Sequence, residues 1–415
     1  MTTFDVAWAR ARFPALAQTV NGQPAVFFDG PGGTQVPQQV IDAMSNYLVH
    51  ANANSHGAFA TSKRTDETIE AAHAAMADLL GCDPDEVVFG PNMTSLTFML
   101  SRSIGREIQS GDEIVVTRLD HDANVAPWVA LEERGALIRY VDIDVEDCTL
   151  AMADLRRQIN ERTKVVAVGY ASNAVGTIND VAEVVRLARQ VGALSYIDAV
   201  HYAPHGPIDV RALDCDFLAC SPYKFFAPHA GTLYGKREHL QRLHPYKVRP
   251  ATEELPARWM TGTQSHEAMA GVTAAINYLA ELGRQMNNGD QFDSRRAALL
   301  AAMNAIRSYE RGLAETLIAG LLDVPGLTFY GITDPARFDQ RTPTVSVRID
   351  GHSPRALSEY LGERGIFTWD GNYYALNLTE RLGVEDSGGM LRIGLAHYNT
   401  EAEVARLLKA LRELV

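Results

Sequence analysis

The chain alternates short apolar runs with helical patterns between residues 87 and 236, and this rhythm restricts its fold more than any other feature. Seven runs have the length and composition of buried strands: 87–89, 114–116, 137–141, 165–168, 193–197, 217–220 and 231–234. Helical patterns or polar loops separate most of them, which favours a mostly parallel sheet covered by helices on both faces. We therefore predict an α/β fold whose large domain is built on a seven-stranded sheet.

The rest of the chain extends this sheet into two domains. Helical periodicity also occurs in four longer segments, at 36–49, 62–80, 267–286 and 294–321. A second α/β piece then has strand patterns at 344–349 and 390–395 and helical patterns at 354–364 and 401–414. We predict an N-terminal arm over 1–20, a large domain over 21–288 and a small C-terminal α/β domain over 289–415. The N-terminal segment is expected to pack on the small domain.

Charge and cysteine content exclude several classes of function. The formal net charge of -13 argues against a nucleic-acid partner, which needs a basic face. The four cysteines form neither a C-x-x-C pair nor a cluster with histidines, so we expect no disulfide framework and no metal site. The N-terminus shows no secretory pattern, and no apolar run approaches membrane-spanning length. We expect a cytoplasmic protein without a membrane partner.

Lys224 lies among aromatic residues just after the predicted strand 217–220. Ligands in open α/β sheets bind beside the carboxyl ends of the strands. A lysine in apolar surroundings loses proton affinity, because desolvation disfavours the ammonium, and it can then form a Schiff base with an aldehyde cofactor. The alternative is an ordinary surface lysine whose stem covers its aromatic neighbours.

Two further residues follow predicted strand ends on the same side of the sheet. Asp198 is placed to hold a pyridinium nitrogen protonated, which makes a pyridoxal ring an electron sink, or else to cap the next helix. His121 is placed to stack on a flat ring or to act as an acid or base, or else it is simply exposed.

Other polar residues suit anionic groups. Met93 and Thr94 open a helix whose free N–H groups suit a phosphate, although a plain helix cap explains them as well. Ser221, three residues before Lys224, adds a hydroxyl for such a phosphate. Arg392, near a strand end, suits a bidentate carboxylate clamp or a surface ion pair. Each signal is weak alone, and their order along the chain makes them stronger.

Together these segments resemble the class V aminotransferase superfamily of fold type I pyridoxal-phosphate enzymes, and within it the cysteine desulfurase and selenocysteine lyase group. The resemblance covers nearly the whole chain. Its most specific parts are the Asn-Ala-x-Gly segment at 173–176, Asp198 and the Ser-x-x-Lys segment at 221–224. It implies pyridoxal 5′-phosphate as cofactor, an amino acid as substrate, and a homodimer with active sites near the subunit interface.

The resemblance also implies a role for each site residue. The catalytic residues would be Lys224 as the Schiff-base lysine, Asp198 on the ring nitrogen and His121 stacked on the ring. The wider cofactor site would contain Met93, Thr94, His121, Asn173, Asp198, His201, Ser221 and Lys224, with Thr263 reaching the phosphate of the neighbouring subunit. The substrate site would contain Asn173 and Arg392 on the carboxylate, together with His56 and Tyr374.

Three departures from the family pattern affect the expected reaction. The family places a nucleophilic cysteine on a loop shortly before the arginine, whereas Tyr374 stands at that position and no cysteine follows Cys220. A tyrosine cannot accept sulfur as a persulfide. Tyr223 replaces the usual histidine before the lysine, and His201 replaces the usual glutamine at the ring hydroxyl. Apart from these two replacements the cofactor site looks intact, whereas the sulfur-accepting site does not.

We expect β-elimination or desulfuration of a cysteine-like substrate. Transamination and epimerisation are the enzymatic alternatives, since pyridoxal chemistry alone does not choose between them. A catalytically idle scaffold of the same fold is the non-enzymatic alternative. Tyr373, Tyr374 and Trp369 suggest an aromatic substrate pocket, or a structural loop that fills the space.

Overall fold

The computed structural model describes residues 4–286 and 292–414, and its strands build one large sheet, one smaller sheet and three two-stranded pairs. In chain order they are β1 (Thr19–Val20), β2 (Gln23–Pro24), β3 (Val26–Phe27), β4 (Val87–Gly90), β5 (Glu113–Thr117), β6 (Leu137–Val141), β7 (Ile143–Asp144), β8 (Thr149–Leu150), β9 (Thr163–Gly169), β10 (Leu194–Asp198), β11 (Phe217–Cys220), β12 (Gly231–Gly235), β13 (Leu327–Tyr330), β14 (Thr344–Ile349), β15 (Ile366–Phe367), β16 (Trp369–Gly371) and β17 (Met390–Gly394).

The large sheet has seven strands in the order β4-β12-β11-β10-β9-β5-β6. Its pairings are parallel from β11 to β6, whereas β12 runs antiparallel to both β11 and β4. All seven strands fall on the apolar runs in the sequence, so the predicted mostly parallel α/β sheet is confirmed.

Helices cover both faces of this sheet. In chain order, the α-helices of the described residues, including α12 and α14 that pack around the smaller sheet, are α1 (Val6–Arg10), α2 (Gln38–His50), α3 (Ala60–Leu80), α4 (Met93–Ile104), α5 (Ala126–Val129), α6 (Met152–Gln158), α7 (Val181–Gln190), α8 (Val210–Leu213), α9 (Arg237–Arg242), α10 (His266–Met286), α11 (Arg295–Leu322), α12 (Pro354–Glu363), α13 (Leu376–Arg381) and α14 (Glu401–Arg412). Along β11, Phe217 and Ala219 join one core, while Leu218 and Cys220 join another. This strand is buried on both faces because its side chains alternate between two helical layers. No helix in the described ranges has the length and apolar content needed to cross a membrane.

The smaller sheet is antiparallel throughout, in the order β13-β14-β17-β16. The sequence predicts β14 and β17 but not β13 or β16. The N-terminal segment contacts this part of the chain, since Arg10 Nη1 donates to Glu403 Oε1 at 2.8 Å and β3 pairs in parallel with β15. The predicted domain boundary at 288/289 lies outside the described residues.

One close backbone approach holds the turn after β3 against β17 beside the site. Gly394, at the end of β17, donates its N–H to the Phe28 carbonyl at 2.8 Å. A Cβ on Gly394 would lie 2.1 Å from the Pro31 ring, so only glycine permits this approach. The turn is also tied to the segment after β11, because the Thr34 N–H donates to the Tyr223 carbonyl at 3.1 Å.

Candidate active site

A cavity of about 430 Å³ opens at the carboxyl ends of β5, β9, β10 and β11. That is the edge where such sheets bind ligands. The structure brings most of the predicted site residues into its lining: Met93, Thr94, His121, Asn173, Asp198, His201, Ser221, Lys224, Tyr374 and Arg392.

Two predicted residues lie outside this cavity in the single chain. His56 is exposed, with Nδ1 at 3.5 Å from Asp66 Oδ1. Thr263 lines a separate surface cavity with His229. The structure therefore brings neither residue to Lys224 within one subunit.

Lys224 ends a short 3₁₀ turn after β11, and its amine lies inside the cavity lining. Its Nζ donates to the Pro31 carbonyl at 2.5 Å and lies 4.6 Å from the centre of the Tyr223 ring. Burial lowers the pKa of Lys224 to about 7, the charge of Arg392 adds to this effect, and Asp198 and Asp29 oppose it. A large share of this amine is therefore neutral, and hence nucleophilic, at neutral pH.

Asp198 is the last residue of β10 and is buried in the cavity wall. Its Oδ1 accepts the Val200 N–H at 2.9 Å. Burial raises the pKa of Asp198 to about 6, while this hydrogen bond and the Lys224 charge oppose the rise. A cationic group that enters beside this carboxylate would favour its ionised form.

Arg392 and Asn173 form a buried polar corner. Arg392 Nη1 donates to the Asn173 carbonyl at 2.9 Å, and Asn173 Nδ2 donates to the Tyr373 carbonyl at 2.9 Å. The guanidinium carbon lies 4.3 Å from the centre of the Tyr373 ring. Arg392 Nε and Asn173 Oδ1 are buried without a hydrogen-bond partner in the part of the chain that the structure describes. Arg392 Nε is a charged donor without a partner in that part of the chain, which suits an incoming anion, whereas Asn173 Oδ1 is an acceptor and suits a donor group.

The guanidinium of this corner stays charged despite its burial. Burial lowers the pKa of Arg392 to about 10, so the guanidinium remains protonated at neutral pH. Burial, with the charges of Lys224 and Arg392, lowers the pKa of His121 to about 4. His121 Nδ1 accepts the Ala123 N–H at 3.0 Å, which places the proton of the neutral ring on Nε2.

Tyr374 lies beside His121 at the mouth of the cavity. The two rings are stacked, with centroids 5.4 Å apart and planes inclined by 18°. The Tyr374 carbonyl accepts the Asp122 N–H at 2.7 Å, which ties the two loops together. His121 was predicted to stack on a cofactor ring, and within the chain its stacking partner is Tyr374.

The N-terminus of α4 borders the cavity beside Ser221. Asn92 caps this helix by accepting the Ser95 N–H at 2.8 Å, and the N–H groups of Met93 and Thr94 precede the first intrahelical bonds. A Cβ on Gly231 of β12 would lie 2.3 Å from the Asn92 carbonyl carbon, so glycine lets the helix end approach the sheet. This terminus can bind an anion.

His201 lies deeper in the wall. Its Nε2 is 3.1 Å from Thr342 Oγ1, and burial holds the pKa of His201 well below its ordinary value. A neutral imidazole therefore occupies the position predicted to contact the ring hydroxyl.

Two carboxyl groups close to the site were not predicted from the sequence. Asp29 precedes the 30–33 glycine turn, and its Oδ1 is buried without a partner among the described residues. Burial raises the pKa of Asp29 to about 6 against the charges of Arg392 and Lys224. Asp120 lines the cavity and accepts the Gly169 N–H with both oxygens at 3.0 Å. The adjacent glycine turn and His121 are the signals that could have drawn attention to them.

The four cysteines do not form part of this site. All four, Cys82, Cys148, Cys215 and Cys220, lie within the described residues as free thiols, and none lines the cavity. Burial raises the pKa of both Cys148 and Cys215 to about 12, so these thiols are inert at neutral pH.

Comparisons with known proteins agree with this geometry. The family model described as aminotransferase class-V matches residues 26–293 and 295–407. A cysteine desulfurase of Synechococcus elongatus is 33% identical over 427 residues, which cover 99% of this chain and 64% of that protein. The chain thus spans slightly less than two thirds of that relative's length.

Other similar proteins match this chain along most of their own length. A cysteine desulfurase of Pectobacterium atrosepticum is 31% identical over 429 residues, covering 99% of this chain and 98% of that protein. The crystal structure of a cysteine desulfurase from Escherichia coli superimposes with a TM-score of 0.85 at 27% identity, covering 100% of both chains.

Proposed function

The chain belongs to the class-V aminotransferase family, and on that premise we propose that it is a pyridoxal 5′-phosphate enzyme that removes sulfur from a cysteine-like amino acid. The state of Lys224 supports this proposal most strongly. Its amine lies in the cavity lining, its pKa is lowered to about 7, and the buried Asp198 and Arg392 side chains lie nearby. A protein that only serves as a scaffold has no need of a lysine held in this state.

The residues of the cavity fit this cofactor. Arg392 Nε and Asn173 Oδ1 are buried polar atoms without partners in the described chain, and the N-terminus of α4 presents N–H groups. Lys224 would bind the aldehyde, Asp198 the ring nitrogen, and His121 the ring face, while Met93, Thr94 and Ser221 would hold the phosphate. When bound, the cofactor supplies an electron sink for the charge left at the substrate α-carbon.

The side chains would divide the remaining work. Lys224 Nζ, with a pKa of about 7, can take the α-proton of the substrate and later return it. Arg392 and Asn173 would bind the substrate carboxylate and so orient the α-proton toward this amine. The neutral His121 ring adds no positive charge that would raise the cost of protonating Lys224.

We propose that sulfur leaves as free sulfide. None of the four cysteines lines the cavity, and Tyr374 stands at its mouth, so the chain offers no thiol there to accept sulfur. For L-cysteine the balanced reaction consumes one water and yields pyruvate, ammonium and hydrogen sulfide. The α-proton goes to Lys224, and the electrons of the broken Cβ–S bond leave with sulfur.

We further propose that the enzyme acts as a cytoplasmic homodimer. Thr263 lies outside the cavity of its own subunit, where a second subunit can use it, and Leu48, Val49 and Phe59 expose apolar side chains. Four free thiols agree with a reducing compartment.

Product analysis with L-cysteine tests the reaction. We expect sulfide and pyruvate in equal amounts, and neither product from Lys224→Ala. Alanine with transferable sulfur would instead indicate desulfuration, accumulation of pyridoxamine phosphate would indicate transamination, and D-cysteine would indicate epimerisation. Tyr374→Cys provides a matched variant. Its new thiolate can attack the substrate sulfur, the Cβ–S bond then breaks with its electron pair kept on carbon, and the products are alanine and a persulfide that is one sulfur atom heavier by intact mass. Absence of any product from a panel of amino acids would contradict the enzymatic proposal.

A further inference from the structure

Three aromatic side chains surround the opening of the cavity, and we call Trp369, Tyr374 and Tyr223 the aromatic mouth. Trp369 is 50% exposed and Tyr374 is 73% exposed in the single chain. The Trp369 indole lies against Gly32, where a Cβ would be 2.3 Å from its Nε1. Such exposed aromatic faces beside a deep polar site are typical of surfaces that receive an apolar part of a ligand.

An unusual turn holds Tyr374 in this place. Tyr373 and Tyr374 both have a positive φ, +55° and +59°, a left-handed conformation that costs free energy for residues with a side chain. The turn is nevertheless tied down, because Asn173 Nδ2 donates to the Tyr373 carbonyl and Asp122 N–H donates to the Tyr374 carbonyl.

The turn sends the two rings to different parts of the site. The Tyr373 ring lies under the Arg392 guanidinium, and its hydroxyl donates to the Met390 carbonyl, so this ring belongs to the buried corner. The Tyr374 ring instead lies parallel to His121 at the opening. Of these two adjacent tyrosines, Tyr373 contacts the buried polar corner and Tyr374 belongs to the aromatic mouth.

The positions of the reacting groups fix the direction of a substrate side chain. The substrate carboxylate is expected at Arg392 and the α-carbon beside Lys224. Protein closes the cavity on the side of the buried Asp198 and His201, so a substituent cannot extend that way. The open direction for a β-substituent is therefore toward the aromatic mouth. Cysteine itself has no planar group that could stack on these rings.

We propose that the aromatic mouth selects alanines whose β-substituent is an aryl thioether over free cysteine. This inference rests on the proposed function and names its substrate class. For an S-aryl-cysteine, Lys224 takes the α-proton, the Cβ–S bond breaks, and its electron pair leaves as the arenethiolate. With one water consumed, the products are the arenethiol, pyruvate and ammonium. The planar leaving group stacks on Tyr374 as it departs.

Binding of unreactive analogues to the holoenzyme tests the selection apart from catalysis. The probes are 3-(phenylthio)propanoate and 3-mercaptopropanoate, which lack an amine and cannot displace Lys224, and calorimetry gives their dissociation constants. We expect the phenylthio compound to bind about tenfold more tightly, from ring burial and stacking. Tyr374→Ala should bring the ratio close to one and Tyr374→Phe should retain it. Tyr246→Ala, at an exposed tyrosine outside the cavity, should leave it unchanged.

Equal affinity for the two probes, or a ratio that Tyr374→Ala leaves unaltered, would overturn the inference. Circular dichroism of Tyr374→Ala checks that the variant is folded. Turnover of S-phenyl-L-cysteine and L-cysteine then separates the two proposals. Selective binding with no turnover of either compound would contradict the proposed function alone. Turnover of L-cysteine without selective binding would contradict only the aromatic selection.

Discussion

The Lys224 amine of the cofactor-free protein should titrate near pH 7. Its pKa falls from the ordinary 10.5 to about 7. At pH 7 the neutral fraction therefore rises from roughly 1 in 3,000 for a free lysine to about one half. This difference of about three orders of magnitude decides whether the amine is nucleophilic under physiological conditions.

The physical causes of this shift can be tested separately. Burial is the largest cause, Arg392 adds to the lowering, and Asp198 and Asp29 oppose it. Arg392→Leu should therefore raise the pKa of Lys224, and Asp198→Asn should lower it further, each by roughly one unit. A general loosening of the fold would shift the pKa of Lys224 in the same direction in both variants, so opposite shifts would identify the two charges as the cause.

Competitive labelling measures the titration directly. The cofactor-free protein is pulse-labelled with a trace of an amine-reactive anhydride from about pH 5 to about pH 11, and the modified peptides are quantified by mass spectrometry. Lys63, which is exposed on α3, provides an internal reference in the same sample. A midpoint for Lys224 above about pH 9 would refute the claim that burial keeps this amine neutral.

Three further substitutions test parts of the same structure. Lys224→Met should stabilise the cofactor-free fold near pH 7 and less so near pH 10. Between the folded pKa of about 7 and the ordinary pKa of 10.5 the unfolded state binds more protons than the folded state, so the cost of burying Lys224 falls as the pH rises. Thermal melts measure this stabilisation, and an effect that does not change with pH would contradict it. Gly231→Ala should weaken cofactor binding roughly tenfold, because its Cβ would lie 2.3 Å from Asn92 and displace the helix terminus; unchanged affinity in a cofactor titration would refute this. Glu310→Ala removes the partner of His205 in a buried pair at 2.8 Å, and it should lower the free energy of unfolding in urea by about 2–4 kcal/mol. Glu315→Ala, at an exposed position, should lower it by under about 0.5 kcal/mol, and equal effects of the two substitutions would contradict the importance of the pair.

The large sheet could be predicted from sequence because its strands are buried on both faces. A strand such as β11 then reads as an unbroken apolar run, and its length separates it from a helix. The predicted site residues gather for a related reason. Parallel strands end at one edge, so His121, Asn173, Asp198 and Lys224 meet there although they are far apart in sequence.

The remaining features depend on long-range contacts that leave little local signal. Strand β13 is half-exposed, and β15 has only two residues that pair with β3 from the far end of the chain, so neither has a clear apolar pattern. The stacking of Tyr374 on His121 depends on a left-handed turn, which a sequence without glycine or asparagine at 373–374 does not suggest. The position of Asp29 close to Arg392 depends on the contact of the turn after β3 with β17.

Reductive trapping of the cofactor tests the central claim most directly. The purified protein is incubated with pyridoxal 5′-phosphate, reduced with borohydride, digested, and mapped by mass spectrometry. We predict one phosphopyridoxyl group per chain on the peptide that contains Lys224, with none on Lys224→Ala. Modification spread over surface lysines such as Lys63, with Lys224 unmodified, would contradict the assignment of this cavity as the active site.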